Sequence, residues 1–144
     1  MASILPPRPI ARLLDSSTLA LVARVALTCA FWWGGLAKLV DFEGATAEAA
    51  HFFGVGASQP IAVMTILVEL AGSGLLIAAR LEWLAAGGLA VFTAAATLVA
   101  HDFWNVRDPA VHFREFNTFL EHIGLVGGLT LAAILARWRA RPAR

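Results

Sequence analysis

The sequence predicts an all-α membrane protein, an antiparallel bundle of four transmembrane helices. Three observations predict it. Of its 144 residues, 59% are hydrophobic and only 15% charged, with a mean hydropathy of +0.73, whereas a water-soluble domain carries about a quarter charged residues. The apolar residues gather in four runs, each close to the ~20 residues a helix needs to cross ~30 Å of hydrocarbon. None of these runs shows the charged face at period 3.6 that marks a soluble amphipathic helix. The net charge of +1 gives no basic excess suited to nucleic acid. A single cysteine, Cys29, excludes a disulfide within the chain, a paired-thiol redox motif, haem c attachment and a thiolate zinc cluster.

The first span covers about residues 18–40, with Arg24 inside it and Lys38 near its end. Leu27, Thr28 and Cys29 faintly resemble a lipoprotein cleavage site, but the apolar run continues through Trp33, so the span is expected to be retained and Cys29 to be a packing residue. The second span, residues 61–79, contains Glu69. The third, residues 83–100, is free of charge, and the fourth, residues 119–136, holds Glu121 and His122 near its start. The whole chain is one membrane domain, ending in an Arg-rich tail over residues 137–144.

The positive-inside rule orients the bundle. Arg8 and Arg12, Arg80 in the second connection, and Arg137, Arg139, Arg141 and Arg144 in the tail all fall on one side. Both termini are therefore expected in the cytoplasm. Trp83 and Trp138 belong at the inner interface and Trp104 at the outer one. In the first outer loop, residues 46–54 read as a short helix with Thr46 as cap and Gly54 as terminator. Asp108 before Pro109 reads as a cap that starts the fourth helix outside the membrane. The turn at Arg80, Leu81 and Glu82 is tight enough to force an antiparallel hairpin.

Residues three and four apart share a helix face. That rule places Arg24, Thr28, Phe31, Gly35 and Lys38 on one stripe, and Thr65, Glu69, Gly72 and Ser73 on another. The third span offers Thr93, Thr97 and His101, and the fourth Asn117, Glu121, Gly124 and Gly128. Gly124 and Gly128 have the spacing of a helix contact motif. A bundle with a polar interior follows. At 1.5 Å rise per residue, Arg24 and Glu69 differ in depth by roughly 6 Å, within an arginine's reach. A charge in the membrane costs roughly 2.5–3.5 kcal/mol, so the two are expected to pair. That pair either fixes helix register or anchors a ligand or proton path. Lys38, Asp41, His101, Asp102, Glu121 and His122 form a second group at the outer end, in which His101 is expected to face Lys38 and Glu121. Two histidines and two carboxylates suit a transition metal and two histidines suit haem, but no HExxH or Glu-x-x-His motif supports either, so no metal is assigned. His51 and His112 are expected to face water.

These residues resemble the DoxX family of small bacterial membrane proteins. Arg24, followed by Trp33-Gly34-Gly35-Leu36-Ala37-Lys38-Leu39-Val40-Asp41-Phe42, is similar to that family's first helix. Glu69-Leu70-Ala71-Gly72 with Leu75 and Leu76 is similar to its second, and residues 96–105 to the end of its third. Phe119-Leu120-Glu121-His122 through Gly127-Gly128-Leu129 looks like its fourth, with Glu121-His122 where many members have Lys-Asn. The resemblance, over about residues 18–136, implies a bacterial inner-membrane protein linked to respiratory or sulfur redox chemistry. The reading it favours is a redox-associated subunit that binds a quinone or an electron-transfer partner, at most one membrane subunit of an oxidoreductase complex. Arg24, Lys38, Glu69, His101, Glu121 and His122 are the candidate ligand-binding or buried polar residues. A small-solute transporter or binding bundle, and a structural assembly protein, are the alternatives. The expected partners are the lipid bilayer and either a redox protein or further copies of the chain.

Overall fold

The computed structural model describes residues 6–141, so Arg144 of the basic tail lies outside the described residues. Among the described residues all regular structure is helical. Its helices are α1 (Arg8–Leu14), α2 (Ser17–Leu27), α3 (Cys29–Val40), α4 (Phe42–Phe53), α5 (Ser58–Ile77), α6 (Glu82–Ala100) and α7 (Pro109–Arg139), with short 3-10 turns at Val55–Ala57 and Phe103–Asn105.

Three helices are long and apolar enough to cross a membrane alone: α5 with its preceding turn, α6 with its following turn, and α7. They correspond to the second, third and fourth spans expected from sequence. The first span departs from expectation, because it is not one helix. α2 and α3 meet at Thr28 with a bend of 52°. Thr28 is fully buried, and its Oγ1 donates to the Arg24 carbonyl at 2.8 Å and lies 3.4 Å from that of Val25. A threonine that hydrogen-bonds back into its own helix competes with the backbone ladder and bends it. The Trp32 indole N–H also reaches the Val25 carbonyl, at 3.4 Å.

The bend decides the architecture. α2 packs on α5 and α7, whereas α3 packs chiefly on α5 and α4. The ring of neighbours closes through α5 on α6 and the extensive α6–α7 interface. On the α2 side of the bend, Leu76, Ala86, Leu89 and Leu129 are almost wholly buried around Phe31. α3 lies close on α5 because Gly35 has no side chain: a Cβ there would stand 2.8 Å from Leu70 Cγ. The outward faces of the bundle are apolar, with Leu67, Val91, Leu98 and Leu131 all exposed, as lipid contact requires.

Helix ends follow local chemistry. Asp108 Oδ1 accepts from the N–H groups of Ala110 and Val111, both at 2.9 Å, ahead of Pro109. The 31 residues of α7 make it about 46 Å long, more than the ~30 Å of hydrocarbon a crossing spans. The short helix expected over residues 46–54 exists as α4, but it starts earlier than expected. Asp41, not Thr46, caps it, its Oδ1 accepting from Gly44 N–H at 2.9 Å; Thr46 lies inside the helix and donates to the Glu43 carbonyl. Gly54, at φ +81°, ends it as expected. In the 78–82 turn both Ala79 (φ 55°) and Leu81 (φ 48°) are left-handed, which reverses the chain in a minimum of residues. Two packing expectations fail. Cys29 is exposed rather than packed. Gly124 faces open space, and only Gly128 approaches another helix, through Leu27 of α2.

Candidate functional site

Where α3 leaves α7, the bundle does not close. A cavity of about 470 Å³ lies among α3, α4, α5, α6 and α7. Its size falls within the ~300–1,000 Å³ typical of small-molecule pockets. Aromatic rings from Phe31, Phe52, Phe53 and Phe92 line it together with Lys38, Glu69, Thr93, Thr97 and His122.

The Lys38 ammonium donates to both carboxylate oxygens of Glu69, at 3.2 and 3.4 Å. This corrects the pairing expected from depth alone, in which Arg24 meets Glu69. The depth estimate treats the first span as one straight helix. The bend at Thr28 instead lays α3 along α5, and side chains on a helix lean toward its N-terminus, which carries the Lys38 ammonium down to Glu69. Glu69 is buried, with 7% of its surface exposed. Its pairing is therefore what makes a carboxylate tolerable there. Arg24 lies on α2, on the other side of the bend, where it lines a separate cavity with Glu82, Trp138 and Arg139.

Across the cavity, α6 supplies a run of buried hydroxyls. Thr93 donates to the Leu89 carbonyl at 2.7 Å and Thr97 to the Thr93 carbonyl at 2.6 Å. Thr97 Oγ1 also lies 3.1 Å from His122 Nδ1. A hydroxyl has one proton; with that proton on the Thr93 carbonyl, Thr97 accepts from His122 Nδ1, and in that tautomer of the neutral ring Nε2 is a hydrogen-bond acceptor.

His101 stands beside His122, with ring centroids 4.9 Å apart. Its Nδ1 is 2.8 Å from Glu115 Oε2. The neighbours expected for His101, Lys38 and Glu121, are not the ones it has. Lys38 is engaged by Glu69, and Glu121 is exposed on the outside of α7. Glu115 is the residue that sequence reasoning missed. Its signal was available: Glu115, His122, Leu125 and Leu129 repeat at helical spacing, and Leu129 is fully buried. The stripe through Asn117, Glu121 and Gly124 is turned away from that face by about 100°, one residue of helix rotation. Asp41 and Asp102 serve local structure, as the α4 cap and as acceptor for Asn105 Nδ2. His51 and His112 are exposed, the latter against the edge of Phe103. Among the described residues no three His, Cys, Asp or Glu side chains gather as a metal site.

No curated protein and no solved structure matches the chain. The family model described as DoxX matches residues 19–102, from the start of α2 to the end of α6. That match takes in Arg24, Lys38, Glu69, Thr97 and His101 and leaves out α7 with Glu115 and His122. More than half the sequence is covered, in a chain whose long helices are apolar enough for the bilayer; this multi-pass integral membrane protein belongs to the DoxX family.

Proposed function

We propose that the chain is a redox-associated subunit of a bacterial inner membrane, whose cavity binds a quinone-class molecule in exchange with an electron-transfer partner. The observation that carries this reading is the pair of polar groups set into an aromatic-lined cavity: the Lys38 ammonium, held by Glu69, and the His122 imidazole, held by Thr97. Aromatic walls suit a flat ring. Lys38 donates a hydrogen bond, and the neutral His122 ring accepts one at Nε2. A quinol offers the matching set, an oxygen that accepts from Lys38 and a hydroxyl that donates to His122. His101 and Glu115, next in line from His122, extend the polar chain toward the exposed start of α7. In this reading Arg24 belongs to a separate part of the molecule and Glu121 has no part in the site.

The same reading takes the bent α2–α3 pair as one crossing, the fourth, with both termini on the cytoplasmic side. Reporter fusions at Arg80 and Asp108 are expected to report cytoplasm and periplasm respectively; the same side for both sinks the topology.

The binding test is solvent extraction of purified protein followed by quinone analysis, with wild type set beside His122→Gln and Glu121→Gln. Wild type and Glu121→Gln should carry quinone. His122→Gln should lose most of it while keeping its melting temperature, because glutamine can still meet Thr97. A wild-type protein that extracts empty, and that shows no saturable binding of an added short-chain quinol, overturns the reading. One observation favours a second reading, a small-solute transporter: the broken first span, since interrupted helices are a feature of transport sites. Uptake of solutes into proteoliposomes that requires Glu69 would decide for it.

A further inference from the structure

A second cavity, of about 650 Å³, lies at the end bearing the basic tail, between α2, α5, α6 and α7. It has no share in the site described above. Arg24 is set into its wall, and among the described residues the buried Arg24 Nε has no hydrogen-bond partner. A guanidinium keeps its proton in proteins, so a full positive charge stands there. The one carboxylate lining the same cavity, Glu82, already accepts from Arg139 Nη2 at 2.7 Å. Two guanidiniums therefore face one carboxylate, and one positive charge is left over. An orphaned charge at a helix interior is costly, and the cavity beside it is large enough for a neutralising group.

We propose that this groove holds an anionic phospholipid, with its phosphodiester against Arg24 and an acyl chain along the apolar wall. Three features of the groove fit that occupant. A phosphodiester carries the single negative charge that balances the site, and its oxygens match the forked donors of a guanidinium. Around Arg24 the wall is otherwise apolar, with Ala23, Leu27, Ala132 and Leu135, the surface an acyl chain lies against. At the rim stand Trp138, 57% exposed, and Arg139, the residue types that mark the headgroup level of a bilayer. A soluble anion satisfies only the first of the three.

The test uses the full chain purified in detergent and stripped of lipid. Native mass spectrometry should show one phosphatidylglycerol retained per chain on adding that lipid back, and its melting temperature should rise with phosphatidylglycerol. Arg24→Leu should fold, since replacing an unpaired buried charge by an apolar side chain removes a desolvation cost. It should need about fivefold more phosphatidylglycerol for the same stabilisation, with Arg24→Lys in between. Inorganic phosphate and phosphatidylcholine should each give a smaller shift. Equal responses of wild type and Arg24→Leu overturn the proposal, as does inorganic phosphate or phosphatidylcholine acting as well as phosphatidylglycerol. Should Arg24→Leu not fold, the wild-type count decides: no retained phosphatidylglycerol overturns the site.

Discussion

The two ends of the bundle handle polar groups in opposite ways. At the end bearing α4, the interior charges and hydroxyls are paired within the protein: Lys38 with Glu69, Thr97 with His122, His101 with Glu115. The packing around them is open, and a cavity of about 470 Å³ remains. At the tail end Leu76, Leu89 and Leu129 are almost fully buried beside a cavity of about 650 Å³, and the buried Arg24 Nε has no hydrogen-bond partner among the described residues. One residue, Thr28, separates the two regimes, because the bend there holds α2 against α7 and sends α3 away from it. Both ends leave room for a ligand, one cavity where α3 diverges from α7 and another beside Arg24. Polar satisfaction inside the protein makes a cavity that can stay empty or fill; an unmatched charge makes one that calls for an occupant.

The largest expected effect breaks the pairing at the open end. Glu69→Leu alone leaves the Lys38 ammonium unpaired in a partly buried position, and such a loss costs about 3–5 kcal/mol. Folded yield in detergent should collapse. Lys38→Met with Glu69→Leu should recover much of it, whereas Arg24→Leu with Glu69→Leu should recover none. Coupling measured by unfolding for all four combinations separates the two candidate partners of Glu69; rescue through Arg24 would restore the pairing that depth alone suggests.

A smaller effect sharpens the role of close approach between α3 and α5. Gly35→Val places carbon where Leu70 already lies, 2.8 Å from the new Cβ. Overpacking of this kind costs about 1–3 kcal/mol. If α3 is driven off α5, Lys38 is carried away from Glu69 as well, so the loss should shrink when Leu70→Ala is added. A Gly35→Val protein as stable as wild type would mean that the α3–α5 contact does not fix the site.

Most of this fold was legible in the sequence, and the reason is physical. Apolar run length and helix-end chemistry are local properties, so α5, α6 and the Asp108 start of α7 fall where residues 61–79, 83–100 and Asp108-Pro109 suggested. The bend at Thr28 was not legible, since threonines that bond back to the carbonyl four residues earlier sit in nearly straight helices as well. From that one miss came the wrong partner for Glu69. The site was half legible. Lys38, Glu69 and His122 were singled out because charge is rare in a span, and they line the cavity. Glu121 shares a face with Gly124 and Gly128, which suggests the inner side of α7, but the long side chains of Leu125 and Leu129 mark that side in fact.

That last point sets the smallest prediction. Gly124 and Gly128 look alike in sequence, four apart on one face, and a contact motif would make them equivalent. The structure makes them different: a Cβ at Gly128 would stand 3.4 Å from Leu27 Cδ1, and one at Gly124 would meet nothing within 4 Å. Alanine removes the excess backbone freedom of a helical glycine and stabilises by about 0.5–1 kcal/mol where space allows. Gly124→Ala should therefore raise the melting temperature slightly. At Gly128 the same gain is offset by pressure on Leu27, and the net change should be close to zero. The comparison also reads the outer surface. If Gly124 is a seam between copies of the chain, its alanine variant will lose stability or dissociate in native mass spectrometry, and the inward phase assigned to His122, Leu125 and Leu129 must then account for a second, outward contact on the opposite face of α7.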